Sequence, residues 1–196
     1  MAEIPNLTLR AAPEALAALT PLAREGLGIT VAPGRSLRDT LTRDLGLAPA
    51  CVEERVQTVF LDGSPVDDID ADHARPGCTL ALAGALPGVA GIAMRRGSPV
   101  GVYREGITHH MTPETGGERP FQVTLKLFNS VAVECLANVL FRGVEVRAGR
   151  LAELLADDPD ALACASFTLN GQALDRAGII AKLSGGQGQL RLHAVA

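Results

Sequence analysis

Val31-Ala32-Pro33-Gly34-Arg35, with Leu37 and Leu41 behind it, is answered later in the chain by Val146-Arg147-Ala148-Gly149-Arg150 with Leu151 and Leu155. Other short blocks recur around this pair in the same order. Thr8-Leu9-Arg10 ahead of the first matches Thr124-Leu125-Lys126 ahead of the second. Leu61-Asp62-Gly63 with Val66-Asp67 matches Leu169-Asn170-Gly171 with Leu174-Asp175. An ordered recurrence of this kind predicts two copies of one structural unit, each burying its own apolar face or sharing it with its twin.

The 196 residues accommodate two units of about 80–90 residues, near the lower size at which a single core is comfortable. Apolar residues make up 47% and charged residues 20%, as in ordinary globular proteins, which excludes bulk disorder. The core is necessarily aliphatic, because there is no Trp, one Tyr and five Phe. A net charge of −4 provides no global field for nucleic acid. Lys126 and Lys182 are the only lysines, which argues against a polybasic membrane patch. The N-terminus lacks a charged start followed by an apolar run, and the longest uncharged stretch, Cys78 to Met94, is broken by Pro87 and several glycines. Cys51, Cys78, Cys135 and Cys164 have no C-x-x-C spacing and read as reduced thiols. These features predict a soluble, cytoplasmic protein with no membrane or nucleic-acid partner.

Strand alternation is clearest in Phe121–Phe128, where Phe121, Val123, Leu125 and Leu127 share one face. Asn6–Ala11 opens the first unit in the same way. Each opening strand precedes a helical pattern, begun by Pro13 or Ser130 and stopped by Gly26 or Gly143. Second strands follow at Ile29–Ala32 and Val144–Arg147. Ser36-Leu37-Arg38-Asp39 resembles a capping box opening a helix with Leu37, Leu41 and Leu45 on one face; its counterpart carries Leu151, Leu154 and Leu155. Third strands at Val56–Leu61 and Ser166–Leu169 run into Asp62-Gly63 and Asn170-Gly171, both tight-turn signals. Last strands fall at Thr79–Ala83 and Leu190–Ala194. Expected core members are Leu37, Leu41, Phe60, Leu61, Leu80 and Leu82, then Leu151, Leu155, Phe167, Leu169, Leu190 and Leu192; strand alternation forbids Phe60 and Leu61 from facing the same way. Between the units, Ile92–Arg104 reads as a hairpin about Gly97-Ser98-Pro99, and Thr112–Pro120 as a solvated loop.

In this arrangement the first unit resembles the ubiquitin-like β-grasp proteins, and within them the molybdopterin synthase small subunit and thiamine sulfur-carrier family. The resemblance is carried by the opening strand, by Val31 to Leu41, by Val59-Phe60-Leu61-Asp62-Gly63-Ser64-Pro65-Val66-Asp67, by Pro76-Gly77 with Leu80-Ala81-Leu82, and by Leu86-Pro87-Gly88-Val89-Ala90-Gly91. The second unit is similar more faintly. The resemblance implies an α+β fold of two tandem β-grasp units, each a mixed sheet with a covering helix. The divisions are 1–91 for the first unit, 92–120 for a connecting hairpin and loop, and 121–196 for the second. In the carriers, chemistry occurs at a free C-terminal Gly-Gly carboxylate. Here Ala90-Gly91 stands at that place and 105 residues follow it (196 minus 91), so carrier activity would require cleavage at Gly91.

Other motifs have simpler readings. Leu183-Ser184-Gly185-Gly186-Gln187 is identical to the ABC-transporter signature pentapeptide, but there is no G-x-x-x-x-G-K-[ST] loop and a strand pattern follows, which favours a glycine-rich turn. Asp68-x-Asp70-x-Asp72 begins like a calcium loop but has His73 where Gly is required and Thr79 where Glu belongs. Adjacent His109 and His110 point to opposite sides of an extended chain, a poor chelating pair. Cys78 is the thiol best placed for nucleophilic chemistry, although no elbow or triad surrounds it. Arg95, Arg96 and Arg104, with Tyr103 and the two histidines, form the candidate partner-binding cluster. The sequence therefore points to a non-catalytic protein-binding or assembly module without cofactor or metal. Its expected partner is a protein of unknown identity, and the fused copies are compatible with a homodimer. The rival readings are a carrier processed at Gly91 and an enzyme with a pocket between the units.

Overall fold

The computed structural model describes residues 4–108, 119–160 and 162–196. Its strands are β1 (Asn6–Arg10), β2 (Leu27–Val31), β3 (Thr58–Leu61), β4 (Ser64–Pro65) and β5 (Thr79–Ala83) in the first part of the chain. The second part supplies β6 (Phe121–Phe128), β7 (Val144–Arg147), β8 (Ser166–Leu169), β9 (Gln172–Leu174) and β10 (Gln189–Val195). All ten join one mixed sheet in the order β4-β3-β5-β6-β2-β7-β10-β1-β8-β9.

That order overturns the expectation of two tandem β-grasp units with separate sheets. β6, from the second part of the chain, lies between β5 and β2; β1, from the first part, lies between β10 and β8. The physical reason is in the connections. β1 does not turn back on itself in a hairpin. It leads through a 3-10 helix (Pro13–Leu19) and α1 (Thr20–Glu25) into β2, and β6 leads through α5 (Asn129–Arg142) into β7. The pairings make β1 parallel to β2 and β6 parallel to β7, and a parallel connection needs a crossover of a dozen or more residues. Each crossover carries the chain past intervening strands, leaving a gap that the other part of the chain fills. The units do not superimpose either, because β5 and β6 occupy the positions that β1 and β10 hold in the other half.

Local features match the sequence reading more closely. Gly26 (φ +135°) and Gly143 (φ +84°) end α1 and α5. Asp62-Gly63 and Asn170-Gly171 are both left-handed, at φ of 50° and 85° and of 49° and 83°, as two-residue hairpin turns require. Ser36 Oγ accepts from Asp39 N at 3.2 Å and caps α2 (Leu37–Asp39), which continues as a π-helical turn over Thr40–Asp44. The two Gly-Arg turns differ: Gly34 is left-handed (φ +70°), whereas Gly149 lies inside α6 (Ala148–Asp157). The expected hairpin between the units is instead helical, with α4 over Gly88–Met94 and a 3-10 helix over Gly101–Ile107. Two further helices among the described residues are α3 (Pro49–Glu54) and α7 (Arg176–Leu183).

Register gives the sheet two unlike faces. Leu82, Leu127 and Leu80, Leu125, Leu27 pair side by side across β5, β6 and β2, and Val146, Leu190 and Val144, Leu192, Leu7, Leu169 continue the same face across the other half. This face and the helices form one hydrophobic core that includes Leu16, Leu41, Leu136, Val139, Leu151 and Ile179. The expected core leucines are buried, except that Leu169 is only partly so; Phe60 points to the other face, while Leu61 is 0% exposed. α5 packs against β5, β6 and β10 and so spans both halves. The edges are short: β4 has two residues, one of them Pro65, and β9 has three, which blunts edge-to-edge pairing.

Two outcomes follow from the exchanged strands. Leu125→Ala, in the strand on which both neighbours depend, is expected to cost about 2–5 kcal/mol in denaturant titrations. A fragment ending at residue 108 lacks β6 and should show little strand signal in far-UV circular dichroism, recovering it when residues 109–196 are added. Independent folding of that fragment would contradict the observed pairing.

Candidate binding face and the seam at its centre

The face opposite the core is open. Along one row of paired residues it carries Thr79, Thr124, Gly28, Glu145, Arg191 and Asn6, one from each of six adjacent strands. Neighbouring rows add Lys126, Thr30, Gln122, Thr8 and His193, all partly or fully exposed. Side chains of both charge signs stand on this surface because each alternates with a buried neighbour.

Its centre is a seam. β2 and β7 share a single register pair, Gly28 with Glu145. A Cβ at Gly28 would lie 3.0 Å from Glu145 Cβ, so glycine is what lets the strands approach. Glu145 then reaches across the seam: Gln122 Nε2 donates to it at 3.4 Å and to Thr30 Oγ1 at 3.0 Å, and Arg191 donates from the far side at 3.3 Å. This polar lattice ties β6, β2, β7 and β10 together over the open face.

On either side of the single pair the strands splay. At the Gly26 and Arg147 end lies a cleft of about 390 Å³, lined among others by Leu22, Gln122, Val146 and Gln189. Glu25 at its wall receives Arg150 Nε at 2.8 and 3.1 Å, and Arg150 also donates to Glu153 at 3.0 Å. These carboxylates, Glu25 first, hold Arg150 more firmly protonated than usual. At the Thr30 and Gly143 end a second cleft of about 250 Å³ is lined by Asp44, Val139 and Arg142 among others. Asp44 pairs with Arg35, yet burial pushes its carboxyl above the usual 3.8, outweighing the arginine.

The residues singled out in the sequence are placed elsewhere. Arg96 donates to the carbonyls of Val52 and Val56 at 2.8 Å each, closing the end of α3, and its burial weakens its hold on the proton. Arg104 is 4% exposed, bound to both Asp67 oxygens at 2.6 and 3.1 Å, to Thr108 Oγ1, and to the carbonyls of Ala93 and Arg95. Arg95 is exposed, above a depression shared with Glu53, Glu54 and Asp67. Tyr103 lies in the 3-10 segment; His109 and His110 lie outside the described residues, as does most of 112–120.

Of the acidic run, Asp68 accepts from the amides of Asp70 and Ala71, and Asp70 pairs with Arg38 at 2.5 Å. Cys78 is buried, and burial pushes its thiol up. Ser184–Gly188 forms the turn between α7 and β10. Sequence reasoning missed the seam, whose one local signal is glycine at alternate positions 26 and 28. It also missed the meeting of Cys51 with Cys135, which no spacing announces. Among the described residues no helix is long and apolar enough to cross a membrane. Comparison with protein-family models, curated proteins and solved structures returns no match.

Gly28→Val should destabilise by about 1–3 kcal/mol through overpacking at the seam, despite the better strand propensity of valine. Glu145→Ala, which removes only partly exposed polar contacts, should cost about 0.2–1 kcal/mol in the same urea titrations. Asp44 has its own pH signature. Its folded carboxyl keeps a proton that the unfolded chain has released, so its contribution is full below pH 3.8 and falls as pH rises through the higher folded value. Stability measured from pH 3 to 7 should therefore decline for the native protein relative to Asp44→Asn, and a rise would refute the assignment.

Proposed function

We propose that this chain is a non-catalytic protein-binding or assembly module of the cytoplasm, docking its partner on the open sheet face. The observation that supports this reading is the polar centre of that face across β6, β2, β7, β10 and β1, accessible and carrying charge of both signs, on a sheet whose edge strands are short. Arg96 and Arg104 serve internal acceptors, so the docking surface is drawn from β1, β6, β7 and β10 rather than from the arginine cluster. Gly91 is buried within α4 against the Leu86 carbonyl, unlike the exposed glycine tail that a carrier processed there would need.

A second reading, an enzyme or small-ligand protein using a pocket between the halves, is favoured by the 390 Å³ cleft and its Glu25–Arg150 pair. The two are separable. Lys126→Glu with His193→Glu adds two carboxylates to the open face and removes its lysine; Arg43→Glu, on the exposed side of the π-helical turn, is the control. A partner recovered from the host by cross-linking should bind the face variant at least about tenfold more weakly, about 1.4 kcal/mol, with the control unchanged. Equal binding by all three would overturn the face as the docking surface.

A further inference from the structure

We propose that Cys51 and Cys135 are a redox-active thiol pair that closes into a reversible disulfide, joining α3 to α5. Their Sγ atoms lie 3.2 Å apart, although 84 positions separate them in the chain. A bonded pair sits at about 2.0 Å, so side-chain rotation must close about 1.2 Å. The helices are already held together beside the pair, where Arg55 Nε meets Glu134 at 3.3 Å.

The two thiols are unequal. Cys135 is 0% exposed, and burial together with the neighbouring Cys51 pushes its thiol well above the usual range. Cys51 is partly exposed on a short helix. A small oxidant such as hydrogen peroxide therefore meets Cys51 first. The Cys51 thiolate attacks one peroxide oxygen, the O–O bond breaks, and the departing hydroxide takes up a proton, leaving a sulfenic acid. Cys135 then gives up its proton and attacks the Cys51 sulfur; the S–S bond forms, the S–O bond breaks, and water leaves. The sulfurs lose two electrons and the peroxide becomes two waters. A dithiol reductant reverses the change. The bond would tie the first part of the chain to the crossover helix of the second, restricting the unfolded ensemble over a long loop.

The test uses the full chain with Cys164→Ser, which removes the exposed thiol and leaves the pair native. After peroxide, alkylation in denaturant should label Cys78 alone, and peptide mapping should find Cys51 linked to Cys135. The melting midpoint should rise and return on reduction. In Cys135→Ser, Cys51 should accumulate as a dimedone-reactive sulfenic acid. Full labelling of all three remaining thiols after peroxide, a link from either cysteine to Cys78, or dimedone capture at Cys135 rather than Cys51 would each overturn the proposal.

Discussion

β6 meets Leu80 and Leu82 of β5 through its Leu125 and Leu127, and on its other side pairs Leu125 with Leu27 of β2. Everything else in the sheet depends on that insertion. Without it, two strands from the first part of the chain would face each other across an empty strand's width, with unpaired amides and carbonyls and with bare apolar side chains. An unpaired buried backbone group costs about as much as a lost hydrogen bond, and a strand contributes several. β1 does the same service between β10 and β8. Neither part of the chain completes its sheet alone, so one core forms where two were expected.

The seam is the converse case. Here two strands touch at a single pair, and the polar lattice of Thr30, Gln122, Glu145 and Arg191 adds only what exposed polar contacts supply. Cohesion comes chiefly from below, where α5 packs on β5, β6 and β10 and buries Leu136 and Val139. Apolar burial under the strands and splaying above them are compatible because glycine occupies positions 26 and 28. The clefts are the geometric residue of that compromise.

The candidate sites divide by how far their parts lie apart in sequence. Arg95, Arg96 and Arg104 are legible as a cluster because they are neighbours, but the acceptors that claim them, Val52, Val56 and Asp67, arrive from a distant segment and turn two of the three inward. Cys78 stood out from its place before a strand; the core encloses it, and burial pushes its thiol up. Cys51 and Cys135 looked like ordinary buried thiols, and only the packing of α3 near α5 sets them face to face.

What the sequence determined by itself was local. Alternation marked β6, the repeated blocks and their turns marked β5, β7 and β8 at their observed bounds, Pro13, Gly26 and Gly143 marked helix ends, and Asp-Gly and Asn-Gly marked the hairpins β3-β4 and β8-β9. Those features depend on residues within a few positions of one another, and their physics is complete at that range. The choice of partner for each strand was not determined there. A period-two apolar face is satisfied by any neighbour in register, and Leu125 pairs as well with a strand from its own part of the chain as with one from the other. Tertiary structure decided it, because helical crossovers after β1 and β6 carry the chain past its nearest neighbour, and the exchanged arrangement joins the apolar faces of both parts of the chain in one core.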